Sequence, residues 1–287
     1  DAAMINDWRS FKGIHAGQQV TGLHHAAMPA GRGVQMIRLP HLETNVTTYC
    51  QNRCVGCNHL IPLQKGRHVN TEQIRRDLAA FSQIAHTDVY ALLGGEPLLH
   101  PELDEILEIA HESGACDKVE VITNGERIYS TSTAFWTLTD ILTVSVYPQL
   151  DRKKLDFIRR MCTTYNVQLD IKDVREWQFT APLAQDTSAS TAAGRYSNCW
   201  YKSFCHVLDN GHFYRCCEMP FIGPLLMNKH TGFDGLDIHT ASEADLAAYL
   251  QQSEMPESCR LCGGHGGPFL GYGQESDPVE WIRKSKK

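Results

Sequence analysis

The feature that most constrains the fold is an alternation of two hydrophobic periods between residues 42 and 174. Short strand-like runs occur at Leu42–Thr48, Asp88–Leu93, Lys118–Thr123, Leu142–Tyr147 and Val167–Val174. Amphipathic helical stretches separate them. One starts near Asn70, where Asn70 and Gln73 are spaced for a capping box, and carries the stripe Ile74, Leu78, Phe81, Ile84. A second runs from about Pro101 to Ser113, with Pro near its start and Gly114 as its cap. A third starts near Asp151. Strands alternating with helices predict a parallel sheet with right-handed crossovers. So many units suit a barrel better than half of a Rossmann fold. The expected fold class is α/β, a partial (β/α)6 TIM-like barrel with a small C-terminal β-hairpin plus helix cluster-binding module.

The pattern divides the chain into three parts. Residues 1–40 form an N-terminal extension of weak periodicity, 41–180 the barrel, and 181–287 the small module. Residues 180–198 are rich in Ala, Ser and Thr and read as a linker. Val207–Tyr214 reads as a hairpin turning at Asn210-Gly211, and a short helix is expected over about Ala241–Leu250. A length of 287 residues with 42% hydrophobic content suffices for one large domain and this module. The net charge of −6, with no long basic run, argues against nucleic acid or an anionic membrane as partner. No run of about 18 apolar residues is present to cross a bilayer. With no basic-then-apolar start, the expected location is cytoplasmic.

Cysteine is the outlier of the composition, at 11 residues, and it is clustered. Cys50, Cys54 and Cys57 share one short segment, Cys199, Cys205, Cys216 and Cys217 another, and Cys259-x-x-Cys262 closes the set. An odd count in a chain of this size argues against a disulfide framework and for metal. Three thiolates on one loop suit a cubane iron–sulfur cluster, whose fourth iron they leave open to a small molecule. The alternative is a closed zinc site with His59 as fourth ligand. Cys162 falls on an apolar helix stripe with Leu155 and Ile158 and is assigned to packing; Cys116 is given no role.

The spacing Cys50-x-x-x-Cys54-x-x-Cys57 is followed by Leu93-Gly94-Gly95-Glu96-Pro97 after the second strand. Thr123-Asn124-Gly125 follows after the third, and Ser145 near the end of the fourth. Together these motifs resemble the radical S-adenosylmethionine (SAM) superfamily over about residues 40–175. All sit at the C-terminal ends of expected strands, where β/α barrels carry their chemistry. The resemblance implies that Cys50, Cys54 and Cys57 hold a [4Fe–4S] cluster. It implies that Gly94, Gly95, Glu96 and Pro97 hold the amino group of SAM, and that Asn124 and Ser145 contact its ribose or carboxylate. The usual aromatic residue before the third cysteine is replaced by Gly56, so adenine must rest elsewhere.

The C-terminal cysteines resemble the twitch or SPASM modules of that superfamily. By the resemblance, Cys199, Cys216, Cys259 and Cys262 hold one auxiliary [4Fe–4S] cluster, with Cys205 competing with Cys199. Zinc on four sulfurs is the alternative. Cys217 and whichever of Cys205 and Cys199 is spare are candidate hydrogen donors, with packing as small buried hydrophobes the alternative, and Tyr147 is a cavity candidate at the fourth strand's end. Asp170 and Lys172 share one face of the fifth strand, and with Arg175 they are candidates for binding a polar substrate; a solvated edge strand is the alternative. The implied activity is reductive cleavage of SAM and hydrogen abstraction from a small polar substrate such as a sugar, aminoglycoside or cyclitol. Oxidation or epimerisation would follow, with a flavodoxin or ferredoxin as reductant. A peptide-modifying enzyme and a non-enzymatic zinc protein are the alternatives.

Overall fold

The structure is a computed structural model and describes residues 36–174, 176–178, 188–264, 269–277 and 279–281. Most of the expected N-terminal extension and Arg175 lie outside these residues. The strands are β1 (Ile37–Thr47), β2 (Ala85–Gly94), β3 (Cys116–Thr123), β4 (Ile141–Val146), β5 (Gln168–Asp173), β6 (Glu176–Gln178), β7 (His206–Asp209), β8 (His212–Tyr214), β9 (Leu236–Asp237) and β10 (Phe269–Gly271). The helices are α1 (Thr71–Phe81), α2 (Leu103–Glu112), α3 (Thr133–Leu138), α4 (Arg152–Tyr165), α5 (Ala189–Asn198), α6 (Met219–Leu226) and α7 (Glu243–Gln251).

One open sheet runs β5-β4-β3-β2-β1-β7-β8-β9, and β10 pairs with β6 in a second, two-stranded sheet. Strands β1 to β5 are parallel in sequence order, each joined to the next through a helix as the alternation requires. The sixth parallel strand of this partial barrel is β7, which pairs with β1 rather than extending the sheet beyond β5. The C-terminal hairpin therefore continues the main sheet. Its turn has Asn210 at φ 50° and Gly211 at φ 80°, the left-handed pair that Asn-Gly favours. Thr44 Oγ1 donates to the Leu208 carbonyl at 3.0 Å, and the Gly211 amide to buried Asp77 at 3.0 Å, fixing the hairpin to β1 and α1.

Two local expectations change. Asn70 caps α1 by accepting from the Glu72 amide at 2.9 Å, but Gln73 does not complete a capping box. Its amide donates to Asp77 at 2.7 Å, so a tertiary anchor wins over the local cap. The expected linker 180–198 contains helix α5, because Ser188 caps it by accepting from the Thr191 amide at 3.3 Å. Alanine in a Ser/Thr-rich run is a helix former once a cap is supplied.

The two faces of the sheet differ. Leu42, Val46, Tyr90, Leu92, Val119, Val121, Leu142 and Val144 join the helices in the main core. Cys162, 3% exposed, belongs to that core as its stripe predicts. On the opposite face β1 carries His41, Glu43 and Asn45 in alternation, all buried.

Candidate active site

The segment carrying Cys50, Cys54 and Cys57 leaves β1 and is held at several backbone points. Gly95 N–H donates to the Thr47 carbonyl at 2.7 Å and Glu96 N–H to that of Tyr49 at 2.8 Å. The double glycine follows from this crossing. Gly94 has φ 130°, and a Cβ on Gly95 would lie 2.1 Å from the Tyr49 carbonyl oxygen. From the other side, Val55 N–H donates to the Gly273 carbonyl at 2.9 Å, and the Trp281 indole donates to the Cys54 carbonyl at 2.7 Å. Gly56 has φ 78°, which lets the chain turn between the second and third cysteine.

Burial pushes the Cys50 and Cys54 thiols up to about 12, and also raises Cys57; Cys50 and Cys57 each raise Cys54 further. Their protons therefore remain until a metal displaces them. Tyr147 packs against this trio: its side chain is hydrogen-bonded to Cys54, and burial raises its hydroxyl well above the ordinary value. Its ring lies 5.3 Å from that of Tyr272.

Glu96 is wholly buried. Its carboxylate accepts from the Leu98 amide (3.1 Å), Thr123 Oγ1 (2.5 Å) and the Asn124 amide (2.8 Å). It thus clasps the loop after β2 to the loop after β3. Burial raises its pKa to about 7, against the pull of these hydrogen bonds. Pro97 opens the short turn Pro97–Leu99 behind it. Asn124 Oδ1 accepts from Gln51 at 2.7 Å, and its amide nitrogen lies 3.9 Å from Cys50 Sγ. Ser145, half-buried, pairs in register with Lys172.

The C-terminal cysteines fall into two groups. Cys259 is raised by burial and then by neighbouring Cys216 and Cys199. Cys262 is raised by burial, Glu218 and Cys216, and its thiol donates to Glu218 at 3.1 Å. Cys205 is hydrogen-bonded to Cys217 instead, and both are buried in a small core with Val207, Tyr214 and Met219. Cys217 also bonds Cys216, which links the two groups.

The polar face of β1 is not among the site elements that the motifs announce. Glu43 is in register with Ala91 and Val207, and Ala91 with Glu120, so Glu43 and Glu120 share a face with Asp170 and Lys172. His41 stands between the carboxylates, 3.5 Å from Glu43 and 3.3 Å from Glu120. Glu120 also accepts from Thr143 at 2.5 Å, and despite burial these bonds hold its pKa below the usual range. Burial raises that of Glu43. Asp170 is half-buried and Lys172 exposed on edge strand β5. The missed signal was the alternation itself, since His41, Glu43 and Asn45 recur at every second position of a strand that lies inside a parallel sheet, where apolar residues are the rule.

Among the described residues, one trio of possible ligands has donor atoms all within 4.8 Å of one another: Glu43, His59 and Cys217. The donor atom of His59 therefore gathers with Glu43 and Cys217, not with the Cys50 trio. Zinc at about 2.3 Å from each sulfur would draw its thiolates to within roughly 3.8 Å of one another.

Residues 44–170 match the family described as the Radical SAM superfamily. Residues 44–170 thus carry a radical SAM domain. A GTP 3',8-cyclase from Klebsiella pneumoniae subsp. pneumoniae is 32% identical over 92 residues, or 31% of this chain and 28% of that protein. The similarity thus spans under a third of the curated relative. Among solved structures, BtrN in complex with AdoMet and 2-DOIA has a TM-score of 0.49 at 13% identity, covering 83% of this chain and 96% of that one. Native anSMEcpe with bound AdoMet and Cp18Cys peptide also has 0.49, at 14% identity, covering 87% and 94%. Within the radical SAM domain lie the loop of Cys50, Cys54 and Cys57, the Gly94-Gly95-Glu96-Pro97 turn and the polar face of β1 from Thr44 onward. Among the described residues, no helix is long and apolar enough to cross a membrane.

Proposed function

We propose that this radical SAM enzyme abstracts hydrogen from a small polar substrate held on the inner face of the sheet, and that oxidation or epimerisation follows. The observation that carries the reading is the position of the Cys205–Cys217 pair. Cys217 lies within 4.8 Å of both Glu43 on the inner face and His59 just beyond the Cys50–Cys57 loop.

When bound by Cys50, Cys54 and Cys57, an iron–sulfur cluster supplies, with SAM, the 5′-deoxyadenosyl radical that abstracts hydrogen. The chain's own residues do the rest. Gly94 and Gly95 bring backbone close to the amino-acid end of SAM. Glu96 acts by locking the loops after β2 and β3 together, so that Asn124 is held beside Cys50. Tyr147 and Trp281 pack around the loop and exclude water. Cys217 holds a hydrogen atom on its sulfur; returned to the substrate carbon from the opposite face, it inverts that centre. An auxiliary cluster on Cys199, Cys216, Cys259 and Cys262 would carry the electron that, with a proton from solvent, restores the thiol, or would accept the substrate radical's electron in an oxidation. A flavodoxin or ferredoxin would deliver electrons to the first cluster. Residues 41–180 serve as the catalytic barrel and 181–287 as the auxiliary module.

The test is anaerobic reconstitution followed by incubation with deuterated sugars and cyclitols. The expected result is about eight irons per chain and deuterium in 5′-deoxyadenosine. Absence of SAM cleavage on reduction defeats the reading. About four irons would remove the auxiliary cluster alone.

A further inference from the structure

The inner face of β1 holds more unpartnered polar atoms than a folded chain normally tolerates. Glu43 is 7% exposed and Asn45 1%. Glu43 Oε2, both amide atoms of Asn45 and His41 Nδ1 are buried without a hydrogen-bond partner. Leaving a carboxylate oxygen so placed costs several kcal/mol unless something compensates, and each unpaired amide atom costs about 1–3 kcal/mol. Neighbouring side chains relieve this only in part: His41 lies 3.5 Å from the other Glu43 oxygen. Ala91 and Leu93, level with Glu43 and Asn45 on β2, are apolar. His41 is shared with Glu120, whose other oxygen is taken by Thr143. Lys172, exposed on the edge strand, favours the Glu43 charge through space but is not among its hydrogen-bond partners.

The balance of charge selects the missing partner. Two buried carboxylates, Glu43 and Glu120, face one shared histidine and one exposed lysine. A polyanion would meet like charge here, whereas an ammonium group would find an acceptor already desolvated. Asn45 offers one acceptor and one donor side by side, which is what a hydroxyl group requires. It stands two residues along the strand from Glu43, roughly 7 Å away by strand geometry. That separation suits an amine and a hydroxyl carried by one small ring.

We propose that Glu43 is the anchor for a protonated amine of the substrate, with Asn45 receiving a hydroxyl of the same molecule. The substrate class is then an amino sugar or aminocyclitol, and a nucleoside triphosphate is excluded. This rests on the reading above, in which the substrate lies on the inner face. It also explains the company Glu43 keeps. The Cys217 sulfur lies within 4.8 Å of a Glu43 carboxylate oxygen, so a ring held on that carboxylate would stand beside the thiol.

The experiment uses reconstituted holoenzyme, dithionite and SAM with matched probes: glucosamine and 2-deoxystreptamine, their counterparts with hydroxyl in place of amine, and GTP. SAM cleavage without any probe establishes the radical SAM reading by itself, so its failure is separately visible. The proposal expects faster 5′-deoxyadenosine formation with an amine probe only. It expects Glu43→Gln to raise KM for that probe by about tenfold to a hundredfold, with a smaller change in kcat. The KM-against-kcat split separates anchoring from general damage, and iron content reports folding of the variant. Stimulation by the hydroxy counterparts, by GTP or by no probe overturns the proposal. So does a non-iron metal in the holoenzyme that disappears in Glu43→Gln, since Glu43, His59 and Cys217 would then be a metal site.

Discussion

The Trp281 indole reaches across 227 positions of the chain to donate a 2.7 Å hydrogen bond to the carbonyl of Cys54. Its ring is fully buried in a small core with Val55, Leu60 and Phe221. The far C-terminal segment is thus part of the wall that holds the Cys50–Cys57 loop. Trp281→Ala should destabilise the protein by about 3–5 kcal/mol, as loss of a large buried aromatic does. Trp281→Phe keeps most of the packing and removes the bond, and should cost nearer 1 kcal/mol. Both should lose iron from the first cluster faster than wild type under chelator challenge. Iron retention equal to wild type in Trp281→Ala would show that the strap plays no part in holding the loop.

Gly95→Ala isolates the crossing of the two loops. The new Cβ would meet the Tyr49 carbonyl at 2.1 Å and Cys50 Cβ at 3.2 Å, and the nearer neighbour is backbone and cannot rotate away. The variant should fold, because the main core lies on the other face of the sheet, yet bind less SAM and less iron. Equilibrium dialysis with labelled SAM, read beside the thermal unfolding midpoint, separates the two effects. Unchanged SAM affinity would contradict the close approach.

The sequence made the parallel order of β1 to β5 legible because three of the four crossovers carry a helix with its own start signal, whereas the short α3 between β3 and β4 was not expected. Asn70 and Asp151 cap helices as expected. It did not reveal that β7 joins the sheet beside β1, because nothing local encodes a pairing 164 residues apart such as Thr44 with Leu208. Helix α5 was hidden by its Ser/Thr content, which propensity alone reads as loop. At the site, Cys50, Cys54, Cys57 and the double glycine announce themselves by spacing. Glu43 and Asn45 needed the fold, since an alternating polar pattern reads equally as a solvated strand face. Trp281 carries no motif at all.

The two thiol groups predict different consequences for Cys199 and Cys205. Cys199 neighbours Cys259, whereas Cys205 is bonded to Cys217. Cys199→Ala should lower bound iron from about eight to about four per chain, while Cys205→Ala should leave it unchanged. Iron and sulfide analysis of the two reconstituted variants decides the matter. The reverse outcome would make Cys205 the ligand.

Acid stability tests the buried imidazoles. His206 is 3% exposed and stacks on Phe213 with ring centroids 5.4 Å apart. Burial lowers its pKa from 6.5 to about 4, and it does the same to His59. Below pH 6.5 the unfolded chain takes up a proton at each histidine that the folded chain refuses. Stability is therefore full above about pH 6.5, falls as pH drops toward 4, and loses nothing further from these groups below that. At pH 5 each histidine should cost about 2 kcal/mol relative to pH 7.5. His206→Phe keeps an aromatic ring against Phe213 and removes one of the two uptakes. Urea unfolding of the metal-free protein at pH 7.5 and pH 5 should show the variant losing about 2 kcal/mol less than wild type between the two conditions. The comparison uses the change with pH, so any fixed cost of the substitution cancels. An equal loss in both proteins would mean that His206 takes up its proton in the folded state as readily as in the unfolded chain.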